Sequence, residues 1–142
     1  MEKGKFKVLI AENDFNAALG IKQKVEDLGW EVTSMVSTAL EAITRTEFDK
    51  PDIILMDVLL SGALNGIEAA KIISYKNKIP VIYLCNESNK SLLSINKPDI
   101  QFAVIIKPVT RASLEEAITK IRISYNFQDS STNISKNRPY SF

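Results

Sequence analysis

Three features of this 142-residue sequence predict an α/β domain whose parallel sheet is covered by helices on both faces. Short apolar runs alternate with longer segments of helical period. The alternation repeats five times. The third run, Ile53-Ile54-Leu55-Met56, is apolar throughout. A strand with no polar alternation is buried on both faces, as a central parallel strand is when helices cross over it. Such crossovers are right-handed.

The elements follow in order. Phe6 to Ala11 reads as the first strand. Ala18, Ile21, Val25 and Leu28 then fall at helical spacing, and Gly29 is a stop signal. Glu31 to Val36 is the second strand. Thr38 to Phe48 is a short helix, with Leu40 and Ile43 expected on its inner face. Pro51-Asp52 punctuates before the third strand, and a Gly/Asn loop from Ser61 to Gly66 follows it. Ile67, Ala70 and Ile73 mark the next helix. Val81 to Leu84 is the fourth strand, Ser88 to Ile95 a more polar helix, and Phe102 to Ile106 the fifth strand. Leu114, Ala117, Ile118 and Ile121 mark the last helix. The folded domain is expected to span 5–124. The Ser- and Asn-rich stretch 125–142 reads as a flexible tail or linker.

Composition narrows the function. Apolar residues make up 45% and charged residues 25%, the balance of an ordinary globular protein. Eighteen Lys and Arg face seventeen Asp and Glu. That near-neutral balance argues against a direct nucleic-acid binder, which needs a basic face. One cysteine, Cys85, forms no internal disulfide, which suits a reducing cytoplasm. The N-terminus lacks signal-peptide character, and no apolar run approaches the roughly 20 residues that cross a bilayer. The chain has no histidine, so the commonest general base and zinc ligand are missing.

In open α/β sheets, ligands bind beyond the carboxyl ends of the strands. Glu12, Asn13 and Asp14 follow the first strand, Asp57 ends the third, Cys85 follows the fourth, and Lys107-Pro108 follows the fifth. Carboxylates converging at one edge repel one another unless a cation offsets them. Oxygen donors without imidazole or thiolate clusters favour Mg²⁺. A lysine supplies the point charge suited to a phosphoryl oxygen. Together these groups describe a site where Asp57 attacks phosphorus, a metal offsets charge and Lys107 holds the incoming group.

Four segments carry a resemblance: Val8 to Asp14, Ile54 to Asp57, Asn65 to Ala70, and Ile105 to Pro108. In this order and spacing they resemble the response-regulator receiver family of two-component signalling, over roughly residues 5 to 124. The resemblance implies a flavodoxin-like fold, with five parallel strands in the order 2-1-3-4-5 and helices on both faces. It implies that Asp57 accepts a phosphoryl group from a histidine kinase or phosphotransfer protein. Glu12, Asn13, Asp57 and the backbone carbonyl of Leu59 would hold Mg²⁺. Lys107 and the residue at position 85 would contact the phosphoryl group, and a cis bond before Pro108 would aim the lysine. Leu59 and Glu87 are expected at the entrance to the site. Partners, and a homodimer, are expected on the last helix–strand–helix face, spanning Ser88 to Ile95, Phe102 to Ile106 and Thr110 to Ser124.

Three positions depart from the family pattern. Asn13 stands where a second Asp is usual, which removes a charge and weakens Mg²⁺ binding. Asp14 next to it reads as a helix N-cap. Cys85 stands where a Thr or Ser hydroxyl is usual, and a buried thiol also reads as a small hydrophobe. Val104 occupies the switch position of an aromatic ring. Phe102 lies on the same side of that strand, two residues earlier.

These departures leave two readings open: a phosphorylatable receiver, and a degenerate receiver that works as a phosphorylation-independent interaction module. A phosphatase with an aspartyl nucleophile would need a second Asp two residues after the first, where Leu59 stands. A dinucleotide-binding domain would need a G-x-G-x-x-G after the first strand, and there is none. The chain is therefore expected not to be an enzyme.

Overall fold

Strands β1 (Lys7–Ala11), β2 (Glu31–Val36), β3 (Ile53–Asp57), β4 (Val81–Cys85) and β5 (Phe102–Ile106) form one sheet in the order β2-β1-β3-β4-β5. Every pairing is parallel. The computed structural model of the chain describes residues 5–96 and 102–125. Of the tail expected over 125–142, Tyr125 is the last residue of a helix, while 126–142 lie outside the described residues, as does the side chain of Phe102.

Strand alternation sorts the apolar side chains into two layers. Val8, Ile10, Ile53, Leu55, Ile82, Leu84, Ala103 and Ile105 pack against α1 (Phe15–Asp27) and α5 (Arg111–Tyr125). Leu9, Ala11, Ile54, Met56, Tyr83 and Cys85 pack on the other face. There they meet α2 (Ala39–Asp49), α3 (Gly66–Lys76) and α4 (Ser91–Asn96). Burying one Leu or Ile side chain contributes roughly 2 kcal/mol. Helices of eleven to fifteen residues are marginal alone, so these layers hold them in place.

The expected stripes of α1, α3 and α5 face inward. Ala18, Ile21 and Val25 are buried, as are Ile67, Ala70 and Ile73, and Leu114, Ala117, Ile118 and Ile121. Gly29, at φ +89°, follows the end of α1.

The inner face of α2 needs correcting. Leu40 points to solvent, 68% exposed, and Ile43 is only partly buried. The buried positions are Ala39, Ala42 and Thr46. Thr38 caps the helix through a reciprocal capping box with Glu41, which sets the helical phase. Small residues on the inward stripe let α2 approach its neighbours closely.

Two element ends also shift. The fourth helix begins at Ser91 rather than Ser88, because Glu87–Asn89 form a tighter 3₁₀ turn closed by Asn89 Oδ1 on the Asn86 amide (2.8 Å). Phe6 precedes β1. Its ring meets Trp30 edge-on at 5.8 Å and lies 4.8 Å below the Arg122 guanidinium.

Candidate functional site

The carboxyl ends of β1, β3 and β5 bring Glu12, Asp57 and Lys107 together. Asp57 closes β3 and is 4% exposed; Glu12 follows β1 and is 2% exposed. β4 lies between β3 and β5, so the lysine must cross two strand spacings, roughly 10 Å, which calls for a long side chain. Its backbone is fixed first: the Lys107 amide donates to the Cys85 carbonyl at 2.8 Å. The Lys107–Pro108 bond is cis. Lys107 Nζ then lies 2.9 Å from Asp57 Oδ2 and 2.9 Å from Glu12 Oε1.

The remaining carboxylate oxygens have backbone partners. Asp57 Oδ1 accepts from the Leu59 amide (2.9 Å), and Glu12 Oε2 accepts from the Asp14 amide (3.2 Å). Glu12 Oε1 is buried and has no well-directed hydrogen bond; the nearby ammonium holds it by charge. Burial, the largest influence, pushes the Glu12 carboxyl above its ordinary range; Lys107 pulls it down, and Asp57 adds a further upward push. For Lys107, burial works to lower the ammonium, but Asp57 and Glu12 outweigh it and hold it above its ordinary value. The cation is thus strongly favoured, while the anion at Glu12 is strained by its surroundings.

Two buried carboxylates and one ammonium leave one net negative charge in the pocket. That residual charge, the hard oxygen donors and the poorly bonded Glu12 Oε1 fit a small divalent cation. Among the described residues, no three acidic, His or Cys side chains gather closely enough to hold a metal alone. Water and a backbone carbonyl would complete the shell, a mode Mg²⁺ favours.

The other expected site residues lie around this triad. Asn13 is exposed. Asp14 caps α1, accepting from the Ala17 amide at 3.1 Å. Leu59 is 47% exposed at the rim. Glu87 is exposed and pairs with Lys90 at 3.0 Å. Cys85 shares strand parity with Val81 and Tyr83 and packs in the apolar layer under α2, α3 and α4. Burial, and after it the Asp57 charge, pushes its thiol up, so it is neutral. Val104 is exposed at the sheet edge, as is Ile106. Beside the triad, a cleft of about 460 Å³ runs along Ala17, Gly20, Ile21 and Lys24 to Asn86, Pro108 and Val109.

Gly66 is a site residue that spacing alone did not single out. It lies against the backbone of Asp57, where no side chain fits.

Comparison with known proteins agrees with this architecture. The family model for the response regulator receiver domain matches residues 8–119. The transcriptional regulatory protein PdtaR of Mycobacterium tuberculosis is 29% identical over 112 residues, covering 79% of this chain and 54% of that protein. The chain spans about half the length of this curated relative. The signal receiver domain of a modulated diguanylate cyclase from Desulfovibrio desulfuricans G20 is 28% identical with a TM-score of 0.70, covering 82% of this chain and 96% of that one. The receiver domain of a sensor histidine kinase from Pseudomonas aeruginosa PAO1, solved with magnesium in its active site cleft, shares the fold at TM-score 0.71 and 24% identity. It covers 83% of this chain and 97% of that one. With five parallel strands in the order 2-1-3-4-5, a buried aspartate at the end of β3 and a family match across most of its length, the chain belongs to the response regulator receiver domain family.

Proposed function

We propose that the chain relays a signal by accepting a phosphoryl group on Asp57 from a phosphohistidine of a kinase or phosphotransfer protein in the cytoplasm. The observation that carries this reading is Lys107 Nζ poised 2.9 Å from both Asp57 and Glu12. A carboxylate oxygen of Asp57 attacks phosphorus in line, and the P–N bond to the donor imidazole breaks. The Leu59 amide holds Asp57 Oδ1 and so fixes the plane of the carboxylate. Lys107 turns its charge to the oxygens of the incoming group. Glu12, Asp57 and the Leu59 carbonyl would hold Mg²⁺, with exposed Asn13 a weak contributor; bound there, the ion offsets negative charge on the carboxylates and the phosphoryl oxygens. The donor histidine belongs to the partner, since this chain has none.

In this reading the domain acts as a signalling module rather than an enzyme, and its partner surface, including any homodimer contact, is the α4–β5–α5 face. Val104 and Ile106 are each 39% exposed there. Valine has no ring to swing, so the signal leaves the site by another route than an aromatic switch.

Beryllofluoride titration with and without Mg²⁺ tests the proposal. Metal-dependent NMR shifts around Asp57 are expected, together with a mass gain of one phosphoryl group from acetyl phosphate. Neither appearing would reject it.

A second reading, a phosphorylation-independent interaction module, draws on Asn13 in solvent, Cys85 in the apolar layer and Val104 at the surface. An Asp57→Asn variant that keeps full activity in cells would favour it.

A further inference from the structure

Gly66 opens α3 with no need of glycine's backbone freedom. The glycines of the described residues with left-handed φ are Gly29 and Gly62, at +89° and +101°. Alanine is the better helix former, so propensity gives no reason for glycine at position 66. Space does. A Cβ on Gly66 would lie 2.0 Å from the Asp57 carbonyl oxygen, 2.9 Å from its carbonyl carbon and 3.0 Å from Met56 Cγ. The first two obstacles are backbone atoms of a buried central strand, which cannot rotate aside as a side-chain tip can.

The contact is clamped from both sides. The Gly66 amide donates to the Val58 carbonyl at 3.0 Å. Asn65 caps the helix by accepting from the Glu68 amide (2.9 Å), while Glu68 returns an acceptor to the Asn65 amide (2.8 Å). The first turn of α3 therefore rests directly on the backbone that carries the Asp57 carboxylate.

We propose that Gly66 is a positioning residue for phosphoryl transfer to Asp57, an inference that rests on the reading of Asp57 as phosphoacceptor. Leu59 and Lys107 hold the two carboxylate oxygens, and the bare Cα of Gly66 lets α3 hold the main chain beneath them. A methyl group there forces the Asp57 carbonyl and α3 apart by about 1 Å, a displacement large enough to cost on the order of a hundredfold in a reaction that depends on alignment.

Wild type, Gly66→Ala and Gly62→Ala chains are compared for phosphorylation by acetyl phosphate with Mg²⁺, read by intact mass. The ¹³C resonance of the Asp57 carboxyl is recorded without metal or phosphodonor. Gly62→Ala is the control: it strains the same loop, but its Cβ meets nothing nearer than Thr38 Cβ at 4.0 Å. Gly66→Ala is expected to slow phosphorylation by about tenfold or more and to move the carboxyl resonance, with Gly62→Ala within about twofold of wild type. Equal slowing of both variants, or a wild-type rate and resonance in Gly66→Ala, overturns the proposal. Should Gly66→Ala not fold, Asn65→Ala carries the test, because it loosens the turn without adding an atom near Asp57. A slower rate with a moved resonance supports positioning, and no change in either overturns it. If wild type itself takes up no phosphoryl group, the phosphoacceptor reading fails, and the carboxyl resonance still decides whether Gly66 positions Asp57.

Discussion

Lys107 Nζ lies 2.9 Å from Asp57 Oδ2, although fifty positions separate the two residues in the chain. The same ammonium meets Glu12 at 2.9 Å, so one cation offsets the repulsion between two buried carboxylates. Its side chain is 25% exposed, against 1% for Glu12 and 5% for Asp57, so water screens the cation more than the anions.

Removing that cation exposes the repulsion it masks. Lys107→Met keeps the aliphatic stem and is expected to lower stability by about 2 kcal/mol at neutral pH, below the usual cost of orphaning a buried charge because Lys107 is partly solvated. Without the lysine that pulls it down, burial and the neighbouring Asp57 hold the Glu12 carboxyl further above its unfolded value. The folded state then binds more protons at Glu12, and stability falls as pH rises through the raised value. The deficit relative to wild type should therefore shrink on acidification. Urea unfolding of both proteins across a pH series measures it, and a deficit that grows toward acid contradicts the assignment.

Metal affinity should respond to a charge at position 13. Asn13→Asp adds a carboxylate next to Glu12 and is expected to tighten Mg²⁺ about tenfold, or about 1.4 kcal/mol. Glu12→Gln is expected to weaken it by a similar factor or more. Calorimetric or NMR titration with Mg²⁺ reads both, and unchanged binding in Glu12→Gln would remove that residue from the site.

The capping box of α2 gives a prediction remote from the chemistry. Thr38→Ala removes the acceptor for the Glu41 amide (3.1 Å) and should cost about 1 kcal/mol. The backbone hydrogen bond from Ser37 is the largest influence on Glu41 and, aided by Thr38, holds its carboxyl below the ordinary value of 4.5. A depressed carboxylate stabilises the fold above the unfolded value, and that contribution is lost as pH falls through the folded one. Glu41→Gln should therefore destabilise more at about pH 7 than at about pH 3. Thermal melts at the two pH values decide it.

The orientation of α2 gives a paired test. Leu40→Lys, on the exposed side, is expected to change stability by less than about 0.5 kcal/mol. Ala42→Leu, on the buried stripe, should cost about 1–3 kcal/mol by overpacking. The reverse ranking would restore Leu40 to the interior.

That helix also shows where sequence reading stops. The strands were legible because a doubly buried strand such as Ile53–Met56 is apolar without interruption. The meeting of Glu12, Asp57 and Lys107 was legible because parallel strands bring their carboxyl ends to one edge. The phase of α2 was not, since apolar size pointed to Leu40 while close packing selected Ala39 and Ala42. The start of the fourth helix hid behind a side-chain turn at Asn86–Asn89. Gly66 was visible in its motif, but its contact with the Asp57 carbonyl exists only across a fold in the chain, and no spacing rule encodes it.

The cation of the pocket arrives on the last strand, and this has a bearing on biosynthesis. A chain growing on the ribosome exposes Glu12 and Asp57 long before residue 107 is made. Until then the free side of β4 is an unpaired edge, and the two carboxylates share their corner without a counter-ion. A truncated or half-made copy therefore lacks the ammonium that pairs with both carboxylates, and the pocket is complete only when β5 docks beside β4.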